Sequence, residues 1–89
     1  MPAVRVRVAS LLHSYTGGRS VIEIEAATVG DALGVLEQRF PGLRFRVVDE
    51  QEQVRPHMNV FLNEEKVRDL ATPVADGAEI YIVGALSGG

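Results

Sequence analysis

Two short stretches of opposite charge on the same spacing do most to limit what this chain can fold into. Val4-Arg5-Val6-Arg7-Val8 alternates apolar and basic residues, and Ser20 to Glu25 alternates again, with Ile22 and Ile24 set among Glu23 and Glu25. Period two is the strand period, so each stretch buries one face and leaves the other wet. If the two pair as a hairpin, Arg5 and Arg7 face Glu23 and Glu25, and each cross-strand ion pair contributes roughly 0.2 to 1 kcal/mol. Such charges set register and do no chemistry.

A sheet with one wet face needs cover on the other, and the next segment supplies it. Thr28 followed by Asp31 gives a capping pair, and Val29, Ala32, Leu33, Leu36 and Phe40 step by three and four until Pro41-Gly42 stops the helix. Asp31, Glu37, Gln38 and Arg39 fall on the opposite, solvated side. Before this helix, Ala9 to Arg19 reads as a loop anchored by Leu11 and Leu12. Its Gly17-Gly18 pair is a turn and not a phosphate cradle, because no strand-to-helix context and no lysine follow it. After the helix, Leu43 to Pro56 reads as an irregular crossing with a mobile acidic tip at residues 49–53.

Strand character returns at Met58 to Leu62, with Met58, Val60 and Leu62 inward and Phe61 outward. Asn63-Glu64-Glu65 is turn chemistry, Lys66-Val67-Arg68 a brief edge strand, and Asp76-Gly77 a tight turn. Glu79 to Val83 is the final strand, with Ile80 and Ile82 inward and Tyr81 and Val83 outward. The elements imply an α+β roll, in which one main helix crosses a four- to five-stranded sheet. Periodicity leaves the strand order open. Residues 1–89 are expected to form a single domain, with 85–89 as an extended reactive tail.

Composition excludes several chemistries. The chain has 89 residues and no cysteine, which removes thiolate metal sites, disulfides and a catalytic thiol together. Twelve acidic residues against eight arginines and Lys66 leave a net charge of −3, the wrong balance for a nucleic-acid binder and one that suits a basic protein partner. No apolar run approaches the 18 or so residues of a membrane span, and the opening residues lack the pattern of a secretion signal, so a soluble, cytoplasmic protein is expected. His13 and His57 have no companions at metal-ligand spacing and read as ordinary loop histidines.

That leaves the last five residues, Ala85-Leu86-Ser87-Gly88-Gly89, as the part outside the scaffold. Glycine lacks Cβ, so a Gly-Gly end can thread a channel that would reject a side chain, and its carboxylate is unhindered. Leu86 is the one large apolar side chain available there for a partner to grip. Phe61, Tyr81 and Val83 share the sheet face away from the helix and form a candidate docking patch near the tail root.

Tyr15-Thr16-Gly17-Gly18, the stretch from Met58 to Arg68, the turn Ala75-Asp76-Gly77 and the terminal Gly88-Gly89 together resemble the MoaD/ThiS family of ubiquitin-like sulfur carrier proteins, and within it the CysO type. The resemblance covers essentially the whole chain. It implies a β-grasp fold with first and last strands side by side in parallel. It implies that an E1-like enzyme uses ATP and Mg²⁺ to adenylate the Gly89 carboxylate, and that a sulfur donor then displaces AMP to leave a thiocarboxylate. Gly88, Ser87 and Leu86 would thread the partner's active site, and the chain itself would bind no cofactor or metal. A sulfur-accepting synthase, such as one making cysteine, and a tail-trimming metalloprotease are the further partners implied. A ubiquitin-like modifier joined through Gly89 to lysines uses the same acyl-adenylate, and a plain interaction domain would use no tail chemistry; a free-standing enzyme ranks last. The chain departs from the family where Ala78 replaces the second acid of an Asp-Gly-Asp turn and where Gly84 replaces a proline, which is expected to loosen the tail root.

Overall fold

The computed structural model describes residues 1–84; the expectations placed on Leu86, Ser87, Gly88 and Gly89 lie outside the described residues. Five strands form one mixed sheet: β1 (Ala3–Val8), β2 (Val21–Glu25), β3 (Met58–Leu62), β4 (Glu65–Val67) and β5 (Glu79–Gly84). Their order is β2-β1-β5-β3-β4. β1 and β5 run parallel at the centre, and the other neighbours are antiparallel. This is the β-grasp arrangement, with a five-stranded sheet and helices packed on one face.

The alternation in β1 is seen directly: Val4, Val6 and Val8 are buried while Ala3, Arg5 and Arg7 are exposed. The hairpin register sets Val6 opposite Ile22, which puts Arg5 opposite Glu23 and joins them at 3.4 Å. It also sets Glu25 opposite Ala3 and Arg7 opposite Val21, so of the two arginines expected to face the acids of β2 only Arg5 does. Arg7 instead reaches across to Glu79 of β5, at 3.9 Å. The buried valines and isoleucines decide the register, and the charges take what it leaves.

Among the described residues three α-helices are present: α1 (His13–Thr16), α2 (Val29–Arg39) and α3 (Leu43–Val47). α2 is the main one. Thr28 caps it, its hydroxyl accepting the Asp31 N–H at 3.0 Å, and Val29, Ala32, Leu33 and Leu36 are buried against the sheet. A 3-10 turn at Ser10–Leu12 leads into α1. It buries Leu12 completely but turns Leu11 outward, 42% exposed, so the loop is anchored by Leu12 together with the buried Thr16 and the partly buried Tyr15.

The crossing after α2 is more regular than its composition implies. Leu43 and Val47 are four apart and both buried, which makes a single helical turn worthwhile, while Phe45 faces out. Glu37 belongs to this turn and not to a solvated face. Its carboxylate accepts the N–H groups of Gly42 at 2.9 Å and Arg44 at 3.0 Å, two donors that the start of α3 leaves without partners. Those hydrogen bonds, with the Arg44 charge beside them, hold the Glu37 carboxyl below its ordinary value near 4.5.

The connection into β5 is held by backbone. Asp76 Oδ1 accepts the Ala3 N–H at 2.8 Å, and Gly77, at φ +86°, donates to the Ala3 carbonyl at 2.8 Å. A residue with Cβ would be strained at that φ. The next residue, Ala78, is buried where the familial acid would stand, and its carbonyl accepts the Arg5 N–H at 3.0 Å.

Two expectations follow. Thr28→Ala removes the α2 cap and lowers unfolding free energy by about 1 kcal/mol in urea titrations. Because the folded-state pKa of Glu37 is depressed, its contribution is present above the unfolded value and disappears as pH falls through the folded one. Glu37→Gln is therefore less stable than the parent at pH 7, and the gap closes in melts taken well below pH 4.5; a gap independent of pH would contradict this.

Candidate functional site

The face of the sheet turned away from the helices carries the residues singled out for docking. Strand register lines them up: Lys66 of β4 stands opposite Phe61 of β3, Phe61 opposite Tyr81 of β5, Tyr81 beside Arg7 of β1, and Arg7 opposite Val21 of β2. All five are outward because their neighbours along each strand, such as Val6, Val60, Ile80 and Ile82, are the buried ones. The result is one row across the sheet with two aromatic rings in its middle and a cation at each side of the pair.

The rings of Phe61 and Tyr81 lie 6.5 Å apart at 31°, a tilted pair. The Arg7 guanidinium sits 5.7 Å from the Tyr81 centroid, within cation–π range. Tyr81 keeps 38% of its surface exposed and Val21 43%. A hollow of about 300 Å³ opens beside the rings, lined by Arg7, Phe61, Glu64, Glu79 and Tyr81. Its lining joins two aromatic rings with an arginine and two glutamates, a composition that suits a protein contact.

Val83 stands one step further along β5, opposite Asn59, on the same face. Phe61, Tyr81 and Val83 are thus brought together as expected. The row also recruits Arg7, Lys66 and Val21, which sequence reasoning passed over. Their strand faces were readable, but only the strand order makes them neighbours of the rings.

β5 ends at Gly84, opposite Met58. A Cβ on Gly84 would come within 3.0 Å of Leu11 Cδ2, so Leu11 covers the inner side of the point where the tail begins. The His57 carbonyl lies on the same side, 3.7 Å from that position. Tyr81 precedes Gly84 by three residues, about 10 Å of strand, so the aromatic row and the tail root belong to one rigid element.

Among the described residues, no three His, Cys, Asp or Glu side chains are grouped so as to hold a metal ion. His57 is exposed beside the tail root, and His13 Nε2 lies 3.2 Å from the Val8 carbonyl, where it pins α1 to the end of β1. No helix among the described residues is long and apolar enough to cross a membrane.

A family model described as the ThiS family matches residues 6–89. The sulfur carrier protein CysO of Mycobacterium tuberculosis is 32% identical over 91 residues, covering 97% of this chain and 98% of that one. Small archaeal modifier protein 3 of Haloferax volcanii is 39% identical over 66 residues, 71% of each chain. Among solved structures, the BexX/CysO complex of Amycolatopsis orientalis contains a chain that superposes with a TM-score of 0.89 at 34% identity, covering 97% of this chain and 99% of that one.

The two sides of β5 have different energetic roles. Tyr81→Ala removes one aromatic pair and one exposed cation–π contact, a loss of about 1 to 2 kcal/mol. Ile82→Ala, one residue away but buried, costs about 2 to 5 kcal/mol. Urea denaturation of the two variants checks the contrast, and an equal loss would mean that Tyr81 is part of the core.

Proposed function

The chain belongs to the ThiS family, and from that premise we propose that it is a sulfur carrier whose reacting group is the Gly89 carboxylate. The observation that carries this reading is the family match itself, which runs through Gly88-Gly89 to residue 89. The relatives are small carrier and modifier proteins and not enzymes themselves, so in this proposal the catalysis belongs to partners.

A carboxylate is a poor acyl donor because its leaving group would be oxide, and it has to be activated. In the proposed cycle an E1-like enzyme brings ATP and Mg²⁺. A Gly89 carboxylate oxygen attacks the α-phosphorus, pyrophosphate leaves, and an acyl-adenylate forms. A sulfur nucleophile then adds to the carbonyl carbon and AMP departs, leaving a thiocarboxylate once the sulfur is freed from its donor. A biosynthetic synthase takes that sulfur, in the synthesis of cysteine or another sulfur-containing metabolite.

This chain's own residues supply presentation. Gly89 leaves the carbonyl carbon open on both faces, Gly88 and Ser87 are small enough for a narrow entrance, and Leu86 gives an apolar grip. Five residues at full extension reach about 17 Å, enough to place Gly89 in a partner's active site while the globule stays outside. The Phe61–Tyr81–Val83 face, flanked by Arg7 and Lys66, is the proposed seat of the activating enzyme. Its location would be cytoplasmic, where ATP is available, and a tail-trimming metalloprotease would act on any longer form.

A second reading has its own support in the similarity to small archaeal modifier protein 3. The same acyl-adenylate attacked by a lysine amine gives an isopeptide, and the chain becomes a modifier.

With a cognate activating enzyme, ATP and a sulfur source, the intact mass rises by about 16 Da as sulfur replaces oxygen. Alkylation by iodoacetamide then separates the thiocarboxylate from an oxidised methionine of the same nominal mass. An unchanged mass with a demonstrably active enzyme sinks the carrier reading, and Gly-Gly remnants on target lysines favour the modifier. Deleting Gly89, or adding one residue after it, abolishes activation and leaves the thermal midpoint nearly unchanged.

A further inference from the structure

The outer sheet face accounts for one side of the tail root. On the helix side, α3 presents an apolar group for which that reading has no use. Phe45 stands between the buried Leu43 and Val47 with 56% of its surface exposed, more than any other large apolar side chain among the described residues except Met1. Arg55 lies over its ring, the guanidinium carbon 4.4 Å from the centroid, and Arg55 Nε donates to the Phe45 carbonyl at 2.7 Å. The Arg55 backbone N–H donates to Val47 at 2.9 Å, so backbone and side chain are both held.

The cations here lack counter-charges. Arg44 is taken by Glu52 at 3.0 Å, but among the described residues neither Arg46 nor Arg55 forms a salt bridge. Of the acids in the following turn, Asp49 accepts the N–H groups of Gln51 and Gln53, Glu52 is held by Arg44, and Glu50 pairs with no cation. A chain of net charge −3 thus leaves two guanidinium groups without a salt bridge among the described residues, that of Arg55 over the exposed ring and that of Arg46 on the residue after it. The position is informative as well. The Arg55 carbonyl accepts the Met58 N–H at 2.9 Å, and Met58 stands opposite Gly84, so the patch borders the end of β5.

We propose that Phe45, Arg46 and Arg55 form a second docking surface, that its ligand is a protein segment presenting a carboxylate beside an apolar side chain, and that the protein bearing it is the enzyme that accepts the carried group. The ring supplies a flat apolar contact and the outer Nη groups of Arg55 a fork for a carboxylate. Because Arg55 is already ordered by the ring and the Phe45 carbonyl, it loses little rotamer freedom when the carboxylate arrives. Arginine and aromatic side chains in this combination are what binding hot spots are made of. The assignment to the acceptor rests on the carrier reading. With the activating enzyme on the outer sheet face, the α3 side is the remaining approach to the tail root.

The surface is tested first with a probe that needs no cognate enzyme: a capped five-residue peptide alternating glutamate with leucine and phenylalanine, titrated to millimolar concentration into the full ¹⁵N-labelled chain. Amide shifts are expected at residues 44–47 and 55, absent with the glutamine counterpart of the peptide and absent in Phe45→Ala and Arg55→Gln. No shift, equal shifts with the glutamine peptide, or shifts centred on Phe61 and Tyr81 overturn the proposal. With the reconstituted reaction, Phe45→Ala raises the KM of the transfer step about tenfold and leaves the KM of activation unchanged. An unchanged transfer KM, or an equal rise in both, overturns the assignment to the acceptor. A concentration-dependent dimer that Phe45→Ala abolishes would show that the occupant is a second copy of the chain, and the proposal falls. Failure of the carrier reading would be seen in the mass experiment while the peptide titration still reads the surface.

Discussion

β5 enters the sheet between β1 and β3, parallel to one and antiparallel to the other, and everything else is arranged around that insertion. Its Ile80 and Ile82 are almost completely buried, each worth about 1.5 to 3 kcal/mol of burial, and belong to the same core cluster as the buried stripe of α2. Hydrogen bonds secure both ends of the β1 pairing: the Arg5 N–H to Ala78, and the Ala9 N–H to Ile82. A strand with neighbours on both sides opens only near global unfolding, unlike a frayed edge. Gly84 therefore follows directly on backbone paired on both sides through Ile82 and is itself paired with Met58.

The same insertion creates the outer face. Side chains alternate along a strand, so burying Ile80 and Ile82 obliges Tyr81 and Val83 to face solvent, and pairing Tyr81 with Phe61 follows from setting Ile82 opposite Val60. A slip of one residue would bury Tyr81 and expose both isoleucines. Core and aromatic row are consequently specified by one register, and the hydrophobic energy that fixes the first fixes the second. The ion pairs Arg5–Glu23 and Arg7–Glu79 are too exposed to compete with it.

How much of this was legible in the chain depends on the range of the interaction. Inward and outward positions of β1, β2, β3 and β5 and the cap and stripe of α2 followed from period and local chemistry. Pairings did not. A hairpin sets Arg5 and Arg7 only against Glu23 and Glu25, whereas the neighbour of Arg7 that matters is Tyr81, more than seventy residues away. Glu37 looked like a surface charge because its ligands are backbone N–H groups across a chain reversal, and backbone donors leave no mark in composition. Leu11 looked like an anchor because adjacent leucines in a loop cannot be told apart until the 3-10 turn sends one inward. The parallel placement of β1 and β5 came from family resemblance alone. The tail residues were singled out by sequence and stay there, since the described structure ends at Gly84.

A scaffold of this size has little interior to spare, so on the proposed carrier reading its means would be an exit point and the surfaces beside it. Those surfaces differ in kind. The outer row joins two aromatic rings with cations at both flanks, while the α3 patch is a single ring under a pinned guanidinium. If successive partners used one face, the second could not engage until the first had left, and turnover would be bounded by that dissociation rate. The two proposed faces would remove that bound, because a weak contact by the incoming partner would be strengthened by effective concentration while the outgoing one still holds. Modest affinity on each face then favours passage of the tail over its retention. Small, partly exposed patches suit such a role, whereas a larger apolar surface would lengthen each residence and slow the proposed hand-over.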